Sequence, residues 1–177
     1  MDEIRLIKPT AEYAQDIMQL REELLNANDA SSFAGCGRLR SCTTAEEWLA
    51  NVAMFEDPET CPQDAVTSST YIAVRSSDNR IVGVTDLRHH IDHPILSLWG
   101  GHIGYSVRPS ERGKGYAKEM LRLNLENCRS RNIDRVLVTC AEGNTASEKT
   151  ILANGGVFES EVAADGEIIK RYWITLR

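Results

Sequence analysis

Residues 104–121 read Gly-Tyr-Ser-Val-Arg-Pro-Ser-Glu-Arg-Gly-Lys-Gly-Tyr-Ala-Lys-Glu-Met-Leu, and this stretch decides the fold. An extended, partly β-branched run ends at Arg108-Pro109, a cationic and glycine-rich turn follows at 112–115, and an amphipathic helix begins after it. A strand that leads into a helix through such a turn aims several backbone N–H groups, and the positive end of the helix dipole, at one point. The stretch therefore predicts an anion-binding site, and a phosphate or pyrophosphate is the simplest occupant.

The size and composition of the chain indicate a soluble globular protein. Its 177 residues, 42% hydrophobic and 26% charged, fit a single domain over 1–177 that buries a sizeable core. The longest apolar runs are well short of the roughly 18 residues that a membrane span needs. The N-terminus lacks both the basic start and the apolar core of a signal peptide. We therefore expect a cytoplasmic protein without a membrane partner.

The net charge and the cysteine content of the chain limit the classes of ligand and partner that we expect. The formal net charge of −6 argues against nucleic acid as a partner and favours cationic small molecules such as amines. Five cysteines, an odd number without a CxxC pair, indicate reduced structural thiols rather than disulfides or zinc. A metal site at His89-His90-x-x-His93 is an alternative, but no carboxylate pattern supports it, so no metal is expected.

Hydrophobic periodicity predicts four helices and seven strands. Helices are expected at 11–26, at about 43–55, at 116–131 and from Thr145 to just before Gly155, the second and fourth of them with capping-box signatures. Strands are expected at 4–8, 71–75, 80–87, 101–107, 135–140, 157–162 and 168–176. The segment 29–42, rich in Ser, Gly and Cys, is expected to be an irregular loop.

The order of these segments predicts an α/β (α+β) fold. The strand 101–107, the helix 116–131 and the almost continuously apolar strand 135–140 form a βαβ unit. The other strands are joined by hairpins, which makes them antiparallel. We therefore expect a mixed, mostly antiparallel central sheet of about seven strands, with helices on both faces and one parallel βαβ unit.

Two familiar nucleotide-binding motifs do not fit the anion site. A P-loop needs Ser or Thr after its lysine, whereas Lys114 is followed by Gly115. A dinucleotide fingerprint needs GxGxxG near the front of its fold and an acidic residue about 20 positions later, and residues 113–117 lack that shape. The motif that remains is Arg112-x-x-Gly115-x-Ala117 at a strand-to-helix junction.

This motif and the order of elements resemble the GNAT superfamily of acyl-CoA N-acyltransferases. The resemblance covers nearly the whole chain and includes Asn144 just after the fifth strand and the closing Gly-Gly-Val-Phe at 155–158. It implies that acetyl-CoA is the co-substrate, with its pyrophosphate on the backbone N–H groups of 112–117 and its pantetheine arm along a bulged fourth strand. The implied cofactor-binding residues are Tyr105, Val107, Arg112, Gly113, Lys114, Gly115, Tyr116, Ala117, Asn144 and Ser147.

The resemblance also implies catalytic residues beside the fourth strand. His102 is the candidate base, because its ordinary pKa suits proton transfer at neutral pH; a packed, hydrogen-bonded histidine is the alternative. Many members of the superfamily carry a general-acid tyrosine seven residues after the asparagine, but that position is Ile151 here. Tyr105 is then a candidate acid, with Ser147 or bulk water as alternatives.

The implied function is transfer of an acetyl group from acetyl-CoA to a primary amine of a small molecule or peptide, by direct attack. The missing tyrosine leaves a second hypothesis, a catalytically weak acyl-CoA-binding or regulatory module. Arg38 and Arg40, in the loop before the second helix, are candidates for binding a carboxylate or phosphate of the acceptor, although solvated surface arginines are more common. A homodimer through the last strands, at Tyr172-Trp173-Ile174, is a further possibility that the resemblance raises.

Overall fold

The computed structural model describes residues 1–29 and 32–177, so part of the predicted loop 29–42, residues 30 and 31, lies outside the described residues. The strands are β1 (Ile4–Ile7), β2 (Ser68–Arg75), β3 (Ile81–Arg88), β4 (Ile103–Val107), β5 (Arg135–Ala141), β6 (Val157–Ala164) and β7 (Glu167–Thr175). The helices are α1 (Ala14–Ala27), α2 (Ala45–Glu56), α3 (Tyr116–Ser130) and α4 (Thr145–Ala153). Short 3₁₀ turns at 11–13, 39–41 and 109–111 and a π-helical turn at 96–100 complete the described elements.

Two of the four helices described above, α2 and α4, begin at a residue whose side chain caps the helix. The Thr44 hydroxyl accepts the Glu47 amide at 3.1 Å, and this cap begins α2 as the sequence predicts. For α4 the predicted capping box at Thr145 is displaced by one residue, because the Asn144 side chain caps the helix and accepts the Ser147 amide at 3.2 Å. This one-residue difference fixes the orientation of Asn144 at the end of β5.

The prediction of a single seven-stranded sheet is wrong. The strands form a four-stranded antiparallel sheet in the order β1-β2-β3-β4 and a three-stranded antiparallel sheet in the order β5-β7-β6. The β4–α3–β5 connection exists as predicted, but its two strands belong to different sheets.

The two sheets separate at His102, just before β4. The His102 amide donates to the Leu137 carbonyl at 2.8 Å, which joins the start of β4 to β5. The Leu137 amide then donates to Nδ1 of the His102 ring at 2.9 Å. The ring nitrogen therefore accepts an amide that a backbone carbonyl would accept in a parallel ladder, and among the described residues no further backbone hydrogen bond joins β4 to β5. Gly101 permits this contact, because a Cβ there would lie 2.7 Å from the Leu137 carbonyl oxygen.

Helices cover both faces of the four-stranded sheet, as predicted. Ile72 and Val74 of β2 face a core that includes Leu20 of α1 and Trp48 of α2. The alternate β2 residue, Ala73, faces α3 on the opposite side. The three-stranded sheet packs its buried face, including Tyr172 and Ile174, into a separate core with α3 and α4. Two of the three residues considered for a dimer surface therefore lie in the core.

A buried arginine joins α1 to the end of β4. Arg108 is 1% exposed, and its Nε and Nη1 donate to Glu23 at 2.7 Å and to Asp16 at 2.6 Å. The same Nη1 donates to the Ile81 carbonyl at 3.1 Å. Burial by itself would raise the pKa of Glu23, but hydrogen bonds from Arg108 and Ser110 hold it below its usual value. This cluster fixes the turn that leads to the anion site.

We expect Arg108→Met to lower the free energy of unfolding by about 2–3 kcal/mol at pH 7. The change leaves two carboxylates without their cation, although both are partly solvated, so the loss is below that of a fully buried pair. The lowered pKa of Glu23 contributes stability above its ordinary value of 4.5, and this contribution is lost as the pH falls through the folded-state value. Urea unfolding at pH 7 and at lower pH should show the deficit shrinking with acid.

Arg129→Met is the matched control for this measurement. Arg129 forms a surface ion pair with Glu126 within α3, and such pairs contribute about 0–1 kcal/mol. Equal losses in the two variants would contradict the structural role given to Arg108.

No helix in the part of the chain that the structure describes is long and apolar enough to cross a membrane.

Candidate functional site

Where β4 and β5 diverge, a cleft of about 860 Å³ opens between them. The N-terminal ends of α3 and α4 close its sides, and residues of all four elements line it. Nine of the ten residues predicted to bind the cofactor line it, and Lys114 is the exception: the nine are Tyr105, Val107, Arg112, Gly113, Gly115, Tyr116, Ala117, Asn144 and Ser147.

One edge of β4 faces the cleft. β4 pairs with β3 from Ile103 to Val107 without a register shift, so the bulge implied by the resemblance is absent from this pairing. The Arg108 amide and the His102 carbonyl bond to β3. By strand alternation, the backbone groups of the odd-numbered residues Tyr105 and Val107 then point away from β3, toward the cleft. The Val107 carbonyl accepts Arg112 Nε at 3.3 Å, whereas within residues 1–29 and 32–177 no such partner takes the backbone groups of Tyr105. An extended ligand arm can bind this edge at Tyr105 and, where Arg112 moves aside, at Val107.

The predicted anion site lies at the N-terminus of α3. Within residues 1–29 and 32–177, no acceptor bonds the amides of the five consecutive residues 113–117. Gly115 is the N-cap of α3 and provides no side-chain cap. Gly113 and Gly115 have φ values of +76° and +89°, which glycine adopts without steric cost. Five unpaired donors at a helix N-terminus are the arrangement that binds phosphate groups.

The two cationic side chains of this turn are already in ion pairs. Arg112 Nη1 contacts Asp29 at 2.6 Å, and Lys114 Nζ contacts Glu111 at 2.7 Å. Glu111 is 5% exposed and also pairs with Arg75 at 2.8 Å. The backbone amides are therefore the principal anion donors, and both cations would have to share or exchange their carboxylates to contact a ligand.

A hydrogen bond crosses the cleft opposite the anion site. The Tyr105 hydroxyl lies 2.7 Å from Ser147 Oγ, which links β4 to α4. Burial raises the pKa of Tyr105 to about 12, so its phenol carries its proton throughout the physiological range. Asn144 uses its carbonyl to cap α4, and among the described residues its Nδ2 has no acceptor, which leaves that donor for a ligand.

Position 151 does not face the cleft. Ile151 is fully buried in the core between α4 and the three-stranded sheet. Apolar packing therefore takes the place of a general acid at this position. Tyr105 and Tyr116 both line the cleft, and the Tyr116 hydroxyl accepts Arg75 Nη1 at 3.3 Å.

His102 lies at the junction of the sheets rather than in β4. It is 6% exposed, and its Nδ1 accepts the Leu137 amide, so the neutral ring carries its proton on Nε2. Burial, Arg88 and His90 lower its pKa to about 4. The lone pair that a base needs is thus engaged by the backbone, and the catalytic role of His102 stays a prediction.

A second pocket of about 410 Å³ adjoins the cleft on the side of α2. The two cavities share Gly35 and Arg88 in their linings. Gly35 packs directly on β4, because a Cβ there would lie 2.2 Å from the carbonyl carbon of Gly104. The loop between α1 and α2 therefore forms the boundary between the two cavities.

Asp86 is a site residue that the sequence analysis missed. It is 7% exposed on β3, lines the second pocket, and accepts the Gly104 amide at 2.9 Å. Its other oxygen pairs with Arg88 Nε at 3.1 Å. Burial raises its pKa, and Arg88 opposes that shift. The sequence feature that could have identified it is an aspartate within an otherwise apolar strand, because a carboxylate is rarely buried unless it is paired.

Among the described residues, no group of three or more His, Cys, Asp or Glu side chains is placed to hold a metal ion. Both ring nitrogens of His89 contact hydroxyls, of Ser69 and Thr67, at 2.9 Å.

Solved structures share this fold at low sequence identity. The microcin C7 self-immunity acetyltransferase, crystallised with acetyl-CoA and AMP, is 18% identical, with a TM-score of 0.70 and coverage of 99% of this chain and 94% of its own. The ribosomal L7/L12 α-N-protein acetyltransferase RimL, in complex with coenzyme A, is 18% identical, with a TM-score of 0.67 and coverage of 98% and 94%. The ribosomal-protein-S5-alanine acetyltransferase of Vibrio fischeri is 18% identical, with a TM-score of 0.68 and coverage of 97% and 91%.

Sequence comparison identifies the family directly. No curated protein is significantly similar to the chain in sequence. The family model described as the acetyltransferase (GNAT) domain matches residues 4–157, which include the anion site, the shared boundary of the two cavities and all of the cleft lining except Glu167 and Ile169. The chain therefore belongs to the GNAT family of acetyltransferases and is an acyltransferase.

Proposed function

We propose that this protein is an N-acetyltransferase that transfers the acetyl group of acetyl-CoA to a primary amine. The observation that carries the proposal is the cleft itself. In the described part of the chain, it joins five amides without an acceptor at the N-terminus of α3 to the outer edge of β4, and it adjoins a second pocket. Two structural neighbours were crystallised with coenzyme A or acetyl-CoA, which supports the same donor here.

The residues present fit this donor. The amides of 113–117 would bind the pyrophosphate, and a Cβ at Gly113 would meet nothing within 4 Å, so the turn is open to a ligand. The backbone of Tyr105 and Val107 would bind the pantetheine arm as an added strand, with Asn144 Nδ2 and Ser147 on the other side. Acetyl-CoA supplies the activated acetyl group when it is bound.

The chain's own groups account for orientation and proton supply. An amine held in the second pocket would lose its ammonium proton to water, reach the cleft past Gly35 and attack the acetyl carbonyl carbon directly, without a covalent enzyme intermediate. The C–N bond forms, the C–S bond of the thioester breaks, and the remaining excess proton on nitrogen passes to water. Tyr105 would donate a proton to the departing thiolate, because its hydroxyl lines the cleft and keeps its proton below about pH 12. Ser147 holds that hydroxyl in place.

His102→Asn separates the two roles considered for this histidine. The Asn carbonyl can replace Nδ1 as the acceptor for the Leu137 amide but cannot act as a base. Because the lone pair is engaged, we expect kcat to stay within about threefold of the wild type and the pH–rate profile to keep its shape. A loss of about 100-fold or more, together with loss of the limb on the acidic side, would instead establish His102 as the base.

Two measurements test the proposed function. Calorimetry with acetyl-CoA alone tests donor binding, and absence of binding at millimolar ligand would refute both the enzyme and the binding-module hypotheses. A thiol-release assay with a panel of amines, with mass spectrometry of the product, separates the two hypotheses. Acetylated product formed in step with free thiol supports the enzyme; tight binding without turnover of any amine supports the catalytically weak module.

A further inference from the structure

The second pocket has the size and position of an acceptor site. Its volume of about 410 Å³ lies at the lower end of the range for small-molecule sites. It meets the cleft at Gly35, which packs on Gly104 of β4 beside the strand edge assigned to the donor. A ligand in this pocket would therefore approach the donor past the shared lining residues Gly35 and Arg88. This step rests on the proposed function.

The end of the pocket next to β4 is acidic. The Asp86 carboxylate accepts the Gly104 amide and contacts Arg88, which leaves acceptor capacity on its two oxygens. Arg88 also donates to the Gly100 and Gly101 carbonyls at 3.2 and 3.4 Å, so its donors are largely used within the protein. A buried carboxylate beside the reacting strand fits an ammonium group of the acceptor.

The lining also includes a cation that forms no ion pair with a carboxylate of the described residues. Arg38 lines the pocket, and none of the carboxylates among the described residues forms an ion pair with it. Its guanidinium lies 4.5 Å from the centroid of the Phe55 ring, which also lines the pocket. Such stacking holds a guanidinium plane while leaving its edge donors available. Arg40, by contrast, stacks on Phe33 and does not line the pocket.

We propose that the acceptor is a small amine that also carries an anionic group, a carboxylate or a phosphonate, with the amine directed to Asp86 and the anion bound by Arg38. Asp64 and His93 also line the pocket, and the His93 ring contacts the Asp64 carbonyl at 3.2 Å. The lining thus pairs two carboxylates with two arginines, which complements a small zwitterion better than it complements a simple cation.

The first test compares acceptors that differ only in the anion. Thiol release is measured with amino carboxylates, with their methyl esters, with aminoalkyl phosphonates and with short peptides. The wild type is expected to prefer the anionic small amines over the esters by about 10-fold or more, because a charged hydrogen-bond pair contributes a factor of that size. The carboxylate and phosphonate arms identify which anion is preferred.

Arg38→Gln should remove this preference. We expect kcat/KM for the anionic amines to fall about 10- to 100-fold, with the esters and the KM for acetyl-CoA unchanged. Arg135→Gln is the matched control, since Arg135 also stacks on an aromatic ring at 4.5 Å, that of Trp173, but lies outside both cavities. Asp86→Asn should raise KM for anionic and neutral amines alike.

The outcomes are distinguishable from failure of the proposed function. Absence of thiol release with every amine would refute the function. Turnover with esters or longer peptides favoured over anionic small amines would refute this inference alone, as would an Arg38→Gln variant that loses both acceptor classes equally.

Discussion

Gly113→Glu is expected to weaken acetyl-CoA binding by about 100-fold or more while the protein remains folded, because like charges brought together in a binding site cost several kcal/mol. The carboxylate would project from the turn whose amides are assigned to the pyrophosphate. Space is available for it in the free protein, since a Cβ at Gly113 meets nothing within 4 Å. Gly113 is a better position for this substitution than Gly115, because a Cβ at Gly115 would lie 3.3 Å from the Met1 sulfur. Calorimetry with acetyl-CoA measures the effect.

Gly166→Glu is the matched control. Gly166 has φ of +79°, close to the +76° of Gly113, and its Cβ would also meet nothing within 4 Å. Both variants carry the same left-handed backbone strain and the same added charge, so their unfolding free energies should fall by similar amounts. Only Gly113→Glu should lose the ligand. Retained affinity in Gly113→Glu would mean that the turn is not the pyrophosphate site.

Tyr105→Phe is expected to have a large effect on kcat. If the phenol supplies the proton to the departing thiolate, kcat should fall about 100-fold, the lower end of general acid catalysis, since a thiolate leaves readily. Affinity for acetyl-CoA should change little, because the backbone of Tyr105 is untouched. A general acid acts while protonated, and burial raises the pKa of Tyr105 to about 12. The wild-type kcat should therefore show no decline from this group up to about pH 11.

Tyr172→Phe controls for loss of a buried hydroxyl. The Tyr172 hydroxyl donates to Glu148 at 2.6 Å, and its side chain lies in the core rather than in the cleft. We expect this variant to lose stability but to keep its kcat. If Tyr105→Phe also keeps its kcat, then solvent or Ser147 is the proton source.

The sequence was sufficient for the parts of the fold that depend on local pattern. The strand, glycine turn and helix around residues 112–117 follow from residue types whose backbone preferences act within a few positions. The cap of α2 at Thr44 is equally local. These features predict the proposed donor site without knowledge of tertiary contacts.

The separation into two sheets depends on a long-range contact. No sequence pattern near His102 predicts that its ring accepts the amide of Leu137, 35 positions away. Hydrophobic periodicity predicts where each strand lies, but not where the hydrogen bonds between neighbouring strands end. For the same reason the sequence shows only the ordinary pKa of His102, whereas burial in the fold lowers that pKa to about 4. Its role as a base stays a prediction.

The second pocket, which we propose as the acceptor site, also could not be predicted from the local sequence pattern. Asp86 lies on β3 and Arg38 in a loop, and only the packing of Gly35 on Gly104 brings that loop to the edge of the cleft. The resemblance to the GNAT superfamily identified the donor, whose binding uses the backbone. It left the acceptor open, because its recognition uses side chains on loops that vary among proteins of one fold.

A crystal structure of the protein with acetyl-CoA would show where the donor binds. We expect pyrophosphate density within hydrogen-bond distance of the amides of 113–117, and the pantetheine arm between the outer edge of β4 and Asn144. Density for the pyrophosphate elsewhere, with those five amides bound only to solvent, would contradict this expectation.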